Sequence, residues 1–305
     1  MRMVIGLLLG LATLAAISYL AVLKEGEPVY RGTSLTQWLK RLDDGQVGGI
    51  SFGALPSPTA RQVEAAEAIR AMGAEALPRL MEDIHATPAQ DGLRFRAERS
   101  LNHVLERVLW KRISFEDITQ EDRRRWRAAQ GLAALGPIAK PAVPELKRLL
   151  LTNYFHSSIK EAAYVLATVG PEGIEILTNA PQANEWSGMC AIWALGQHPE
   201  TGTNAIPFLI SATSSSSEGT ACGAIQVLGL FHTEGDQVIP ALTAALASAK
   251  PSVRSDAARA LGAFGPQASA AVPRLRELAN DPAAGSTAVE ALRRIQGTAA
   301  QPKSE

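Results

Sequence analysis

The sequence predicts an all-α protein in which one short helical unit repeats along most of the chain and forms a solenoid. Alanine supplies 51 of the 305 residues and only 5% of the chain is aromatic, which favours helices over β-sandwiches. A nine-residue segment that usually ends in glycine occurs seven times, and a proline-containing segment recurs at multiples of about 33 residues. Repetition at this period is typical of stacked helix-turn-helix units.

Charge and cysteine content exclude several classes of protein. Thirty lysines and arginines balance thirty aspartates and glutamates, so the chain lacks the overall positive field of a dedicated nucleic-acid binder. Cys190 and Cys222 are the two cysteines, too few for a disulfide framework or a four-cysteine zinc site. We expect both to be buried thiols in the core, with an inter-repeat disulfide as the alternative.

The N-terminal segment is strongly apolar. Residues 3–23 contain no charged side chain, and 21 residues span a hydrocarbon core of about 30 Å as a helix. Residues 1–23 are therefore predicted to be a transmembrane or signal-anchor segment. Arg2 precedes the apolar run, which favours a cytoplasmic N-terminus and a solenoid outside the cytoplasm, in the periplasm. A cleaved secretory signal, followed by secretion, is the alternative.

Residues 24–56 are predicted to be a connector with one short helix. Ser34 and Gln37 have the spacing at which each side chain satisfies the other's free backbone N–H at the start of a helix. The following stretch is rich in glycine and proline, which indicates a flexible boundary. It contains the string G-x-S-x-G at residues 49–53, but we interpret this as linker, because the serine hydrolase elbow needs a strand before the serine and a helix after it.

The repeated segment predicts the first helix of each unit. Its copies are AAEAIRAMG at 65–73, AAQGLAALG at 128–136, AAYVLATVG at 162–170, GMCAIWALG at 188–196, ACGAIQVLG at 221–229, AARALGAFG at 257–265 and AVEALRRIQ at 288–296. The first, fourth, fifth and eighth positions are small or apolar in every copy. These positions form one face of an α-helix, and the closing glycine suits the left-handed turn that ends it.

A proline predicts the start of the second helix of most units. The prolines lie in similar segments, LPRL, VPEL, IPFL, IPAL and VPRL, at Pro78, Pro144, Pro207, Pro240 and Pro273. Proline is tolerated in the first turn of a helix, where its missing N–H costs no hydrogen bond. Residues 95–110 are the candidate for a degenerate unit. We therefore expect a solenoid of seven to eight units over residues 57–297 and a disordered tail at 298–305.

These repeats resemble the HEAT and HEAT-like (phycobilisome-lyase-type) repeat superfamily. The resemblance covers roughly residues 58–297 and includes GPIAKPAVPEL at 136–146 and its parallel GPQASAAVPRL at 265–275. It implies a right-handed α-solenoid whose units contact their neighbours. Residues 27–42, EPVYRGTSLTQWLKRL, also resemble the leader of membrane-anchored or exported bacterial repeat proteins. The His-Glu pairs that would resemble the iron ligands of HEAT-like hydroxylases do not occur in the sequence.

Two further groups of residues are candidates for binding. Residues 94–127 contain ten lysines or arginines and six acids, so this segment carries a charge of +4 within a neutral chain. Its candidate partner-binding side chains are Arg123, Arg124, Arg125, Trp126 and Arg127, which would bind an acidic protein or a membrane surface. A solvated helix face or intramolecular pairing is the commoner role of such arginines. His198 and His232 each follow the glycine of the repeated segment, in successive units. They are candidates for binding a partner, and polar loop residues are the default explanation. A further alternative is that they bind a metal ion together with Glu200 and Glu234.

The function that the sequence predicts is a membrane-anchored HEAT-repeat scaffold that binds a protein, with an acidic surface on the partner as one possibility. Its curved face is expected to be formed mainly by the second helices. We expect no enzymatic activity, cofactor, small-molecule substrate or nucleic-acid partner. The alternative is a lyase or modifying enzyme of the phycobilisome-lyase-like HEAT class, which acts on a carrier or chromophore protein.

Overall fold

A computed structural model describes residues 27–43, 57–85, 120–151, 156–182 and 184–297. Strands β1 (Val29–Tyr30) and β2 (Thr33–Ser34) form a short antiparallel hairpin at the start of this part of the chain. The helices that follow are α1 (Leu35–Leu42), α2 (Ala60–Met72), α3 (Leu77–Ile84), α4 (Gln120–Leu135), α5 (Val143–Leu151), α6 (His156–Leu166), α7 (Pro171–Asn179), α8 (Glu185–Gln197), α9 (Pro199–Gly202), α10 (Ile206–Ala212), α11 (Glu218–Leu228), α12 (Gly235–Ala245), α13 (Pro251–Phe264), α14 (Val272–Leu278) and α15 (Gly285–Gln296). Several of them are joined by short 3-10 segments.

The seven copies of the repeated segment form one continuous row of first helices. They lie on α2, α4, α6, α8, α11, α13 and α15, and each of these helices packs against the next one in the row. The fifth position of the segment is fully buried in six copies and partly buried at Leu292 in the last. The predicted helical repeat solenoid is therefore confirmed, and the predicted apolar face forms its core.

The second helices fill the spaces beside this row. They are α3, α5, α7, α10, α12 and α14, and each packs against the first helix of the following unit. Proline lies in the first turn of all except α12. Pro240 is instead inside α12, because that helix begins five residues earlier, at Gly235. Four of the five predicted prolines therefore lie in the first turn of a second helix, and α7 begins at Pro171, which was not among them.

Glycine closes the repeated segments in two different ways. Five copies end in, or directly before, a glycine with positive φ, as predicted: Gly73, Gly136, Gly170, Gly265 and Gly297. Gly196 lies within α8, and Gly229 has a φ of −61°. A Cβ atom at Gly196 would lie 2.6 Å from Cγ2 of Val227, and one at Gly229 would lie 3.2 Å from Cβ of Ala260. At these two positions glycine allows neighbouring first helices to approach closely.

Helix α1 belongs to the core of the solenoid. The short helix predicted within residues 24–56 is present, and its side chains Leu35, Trp38 and Leu39 are buried. It packs against both α2 and α4. The segment predicted as a connector therefore supplies the helix that covers the start of the row.

The start of α1 is capped by a different residue from the one predicted. Ser34 occupies the N-cap position, but its side chain makes no capping hydrogen bond, so the reciprocal pair with Gln37 is not formed. Ser34 is instead hydrogen-bonded to the carboxylate of Glu27. That carboxylate also accepts a hydrogen bond from the backbone N–H of Thr36, and thereby satisfies a free N–H in the first turn.

The first two units contact each other directly. Helix α4 packs on α2 and α3, and Nε of Arg70 donates a hydrogen bond to the carbonyl of Ala134 at 3.2 Å. Gly131 approaches the preceding helices so closely that a Cβ would lie 2.7 Å from Cδ2 of both Leu39 and Leu80. These contacts pack α4 directly against the helices of the preceding unit.

Several predictions concern residues outside the described ranges. These are the apolar segment at 3–23, the G-x-S-x-G string at 49–53, the degenerate unit at 95–110, the basic residues between 94 and 112 and the tail at 298–305.

The predicted membrane localisation requires correction. In the part of the chain that the structure describes, no helix is long and apolar enough to cross a membrane. The longest helix there is α4, whose 16 residues rise about 24 Å, less than a hydrocarbon core of about 30 Å, and it carries four arginines. The single-pass localisation, and the placement of the solenoid outside the cytoplasm that depended on it, are therefore withdrawn.

The close approach of first helices can be tested at Gly196. Gly196→Ala is expected to lower the free energy of unfolding by roughly 1–3 kcal/mol, because the added methyl group has to displace the stiff, buried side chain of Val227. Gly219→Ala is the matched control on the exposed first turn of α11, where the nearest atom is Sδ of Met189 at 3.6 Å. It should stabilise the protein by up to about 1 kcal/mol. Urea unfolding followed by circular dichroism measures both, and an unchanged or raised stability of Gly196→Ala would contradict the packing described.

Candidate functional site

Helix α4 carries the predicted arginine patch and directs its side chains to two sides. Arg123, Arg124 and Arg127 line a cavity together with residues of α1 and α3. Arg125 and Trp126 are buried on the side that faces α6. One patch in the sequence is therefore divided between two structural features.

The first feature is a cavity of about 570 Å³, which we call the basic pocket. It lies between α1, α3 and α4, and it is lined by Thr36, Leu39, Lys40, Arg79, Asp83, Arg123, Arg124 and Arg127. Five of these eight residues are cationic and one is acidic. Because the three helices come from distant parts of the chain, the pocket depends on the direct contact between the first two units.

Buried carboxylates hold three of the five cations in place. The side chain of Asp83, only 8% exposed, accepts a hydrogen bond from Nε of Arg124 at 2.7 Å and lies 3.3 Å from Nε of Arg79. Nε of Arg127 donates to Oδ2 of Asp43 at 2.7 Å, and the Asp43 side chain is 7% exposed. The hydrogen bond to Asp83 raises the pKa of Arg124 above its ordinary value. These pairs fasten α4 to α1 and α3.

Lys40 and Arg123 differ from the other cations of the basic pocket. Both side chains are exposed, and neither forms an ion pair with another residue of the described ranges. The carboxylates that neighbour the pocket are those of Glu27, Asp43, Glu82 and Asp83, so positive charge remains in excess by one. Arg123 also lies in the first turn of α4, where the helix dipole adds positive potential. The pocket is thus suited to an anionic group.

The second feature is an aromatic cluster made of Trp126 on α4, Tyr164 on α6, Trp193 on α8 and His198 at the end of α8. The ring centroid of Tyr164 lies 4.9 Å from that of Trp126, 5.8 Å from Trp193 and 4.7 Å from His198. Nζ of Lys160 lies 4.7 Å from the ring centroid of Trp126 and 5.0 Å from that of Trp193. Cation–π attraction to both rings therefore stabilises this lysine. Two of the predicted partner-binding residues, Trp126 and His198, are brought together here.

Charged side chains are buried beside the aromatic cluster. Arg125, Lys160 and Glu161 are 3%, 7% and 3% exposed. Burial raises the pKa of Glu161 to about 7. Burial, together with the nearby charge of Glu161, raises the pKa of Cys190 to about 12. A thiol of this kind stays protonated at neutral pH, so Cys190 is not an activated nucleophile.

His232 belongs to neither feature. Its ring lies edge-on to Phe264, with 5.2 Å between ring centroids. Across the described ranges, no group of three or more His, Cys, Asp or Glu side chains is placed to hold a metal ion. The metal alternative therefore gains no support from the geometry of the described residues.

The two cysteines are free thiols that face opposite neighbours. Cys190 is buried and lies near Glu161 of the preceding unit. Cys222 is half-buried and hydrogen-bonds with Ser252 and Asp256 of the following unit. The alternative of a disulfide between them is not realised.

Several residues of both features were not predicted from the sequence. Lys40 and Arg79 gave no signal, because they join the basic pocket only through the packing of distant helices. Tyr164 and Trp193 offered one: they occupy the third and sixth positions of the repeated segment, which are small, polar or charged in most other copies. Large aromatic residues at positions outside the repeating core would have indicated this cluster.

The stabilising role of Asp83 can be measured directly. Asp83→Ala is expected to lower the free energy of unfolding by roughly 2–3 kcal/mol, because two guanidinium groups lose a buried carboxylate. The control is Glu277→Ala, which removes the exposed pair with Arg274 and should change stability by less than about 0.5 kcal/mol. Chemical denaturation of the three proteins provides the values. Similar losses in the two variants would show that the Asp83 pairs do not anchor α4.

Comparisons with known proteins found one matching family model and several similar solved structures. The family model for HEAT repeats matches residues 189–261 and 239–303. No curated protein matches the chain in sequence. Similar solved structures include a designed armadillo repeat protein in complex with the peptide (KR)4, which is 18% identical with a TM-score of 0.41 and is aligned over 72% of this chain and 99% of that one. Human deoxyhypusine hydroxylase in complex with glycerol is 18% identical, with a TM-score of 0.35 and coverage of 86% and 96%. Kap121p bound to Nup53p is 14% identical, with a TM-score of 0.46 and coverage of 86% and 29%. The C-terminal part of this solenoid is therefore similar to HEAT repeats.

Proposed function

We propose that the chain is a protein-binding repeat scaffold and that an acidic segment of its partner binds in the basic pocket. The observation that carries this proposal is the convergence of five cations from three helices on one open cavity, with Lys40 and Arg123 exposed and unpaired among the described residues. Among the residues that line the cavity, five are cationic and Asp83 alone is acidic. Arginine and lysine side chains recognise such groups through charge-assisted hydrogen bonds.

The cations of the basic pocket have separate tasks in this proposal. Arg124 and Arg127 are held by Asp83 and Asp43, so their positions are fixed before a partner arrives and little conformational freedom is lost on binding. Lys40 and Arg123 supply the charge that the partner neutralises. Electrostatic attraction of this kind raises the association rate and makes affinity depend on salt.

The remaining predicted partner-binding residues take other places in the proposal. Arg125 and Trp126 are buried and position α4 from its opposite side, without touching the partner. His198 lies at the edge of the aromatic cluster, and His232 lies beside Phe264. We assign neither histidine to the acidic segment of the partner.

The enzymatic alternative, a lyase that acts on a carrier or chromophore protein, has no specific observation in its favour. Cys190, the buried thiol nearest to a charged cluster, has a raised pKa and is a poor nucleophile. We therefore propose the scaffold function alone.

Binding of a labelled peptide tests the proposal. A fluorescein-labelled, glutamate-rich peptide should bind the full chain, as measured by fluorescence anisotropy, and its affinity should fall as salt is raised. The double variant Lys40→Glu, Arg123→Glu should weaken binding at least about tenfold, because attraction becomes repulsion at the pocket. A length-matched glutamine peptide is the uncharged control and should not bind.

A second double variant separates the pocket from the overall charge of the protein. Lys147→Glu, Arg276→Glu makes the same change in net charge at exposed positions on α5 and α14. It should keep the affinity for the acidic peptide within about twofold, since distant exposed charges are screened. Equal losses in the two double variants, or no binding of the acidic peptide to the unaltered protein, would contradict the proposal.

A further inference from the structure

Glu161 is a carboxyl group buried in the middle of the row of first helices. It lies on α6, which packs between α4 and α8. Glu161 is 3% exposed, and its Oε2 atom has no hydrogen-bond partner within the described ranges. Burial of a charged carboxylate without full hydrogen bonding is costly, whereas the protonated carboxyl group is tolerated more easily.

The charged and titratable groups around Glu161 come from all three helices. They are Asp122 and Arg125 on α4, Lys160 on α6 and Cys190 on α8. Lys160 is drawn towards the faces of Trp126 and Trp193. Attraction to Lys160 and Arg125 favours the ionised form of Glu161, whereas burial and the carboxylate of Asp122 disfavour it.

We propose that the contact between α4, α6 and α8 is a proton-sensitive joint of the solenoid, tightened when Glu161 is protonated and loosened when it is ionised. An ionised Glu161 needs hydration, and water reaches this buried side chain when the neighbouring first helices separate. The aromatic cluster spans the same three helices, so separation also disturbs the contacts of Trp126 and Trp193 with Tyr164.

The direction of the effect follows from the two states of the carboxyl group. Its pKa is about 7 in the folded protein and lies near the ordinary value of 4.5 in the unfolded chain. Between these values the folded protein holds the proton more tightly than the unfolded chain. The stabilising contribution of Glu161 is therefore complete below about pH 4.5 and is lost as the pH rises through about 7.

Helix α4 connects this joint to the basic pocket. It presents Arg125 and Trp126 towards α6, and it presents Arg123, Arg124 and Arg127 to the pocket. The joint is nevertheless independent of the proposed function, because it concerns the stability of the packing in the absence of any partner. Its test needs no peptide, so failure of either proposal leaves the other standing.

Thermal unfolding of the full chain between pH 5 and pH 8 tests the joint. Glu161→Gln replaces the titrating group with a neutral side chain of nearly the same shape. The Tm of Glu161→Gln minus the Tm of the unaltered protein should rise by several degrees between pH 5 and pH 8, since the effects of other titrating groups cancel in this difference. Glu175→Gln, at an exposed position on α7, is the matched control, and its difference should stay constant. A constant difference for Glu161→Gln would overturn the proposal.

Hydrogen exchange of the unaltered protein decides the question if Glu161→Gln does not fold. Amide protection in α4, α6 and α8, corrected for the intrinsic effect of pH on exchange, should fall between pH 5.5 and pH 8 relative to protection in α13. Parallel changes in all four helices, or none, would overturn the proposal.

Discussion

The close packing of consecutive first helices is the constraint on which the rest of the molecule depends. Neighbouring helices in the row approach so closely that even the methyl group of alanine would clash with Val227 at Gly196, and Gly229 lies similarly close to Ala260. Small residues at these positions leave the larger apolar side chains, such as Ile192 and Leu132, to fill the layer between the two helices of each unit. The abundance of alanine and glycine in the sequence is a consequence of this geometry.

Dense packing leaves little freedom within the core, so chemical variety is confined to positions outside the repeated pattern. Helix α4 is where that variety is greatest. One of its sides contributes three arginines to the basic pocket, and the other contributes Arg125 and Trp126 to a buried cluster with α6 and α8. One helix therefore contributes both to the lining of the basic pocket and to the buried cluster.

The sequence predicts the elements that repeat, because their cause is local. A period of about 33 residues, with apolar positions at helical spacing and a proline at the second helix, was enough to predict the seven first helices and five of the second helices. The basic pocket could not be predicted in this way, since Lys40, Arg79 and Arg123 are far apart in sequence and meet only because α1 and α3 pack on α4. Gly196 was assigned to a turn for a similar reason: glycine ends helices and also allows close approach, and the sequence alone does not distinguish the two uses.

The central claim is that α1, α3 and α4 form one packed unit around the basic pocket, and a double-mutant cycle on Asp43 and Arg127 tests it most directly. These residues are 84 positions apart, and Nε of Arg127 lies 2.7 Å from Oδ2 of Asp43 only if α1 packs on α4. Unfolding free energies of Asp43→Ala, Arg127→Ala and the double variant should give a coupling energy of roughly 1–3 kcal/mol. A coupling energy within about 0.3 kcal/mol of zero would show that the two helices do not meet as described, and the basic pocket would not exist in this form.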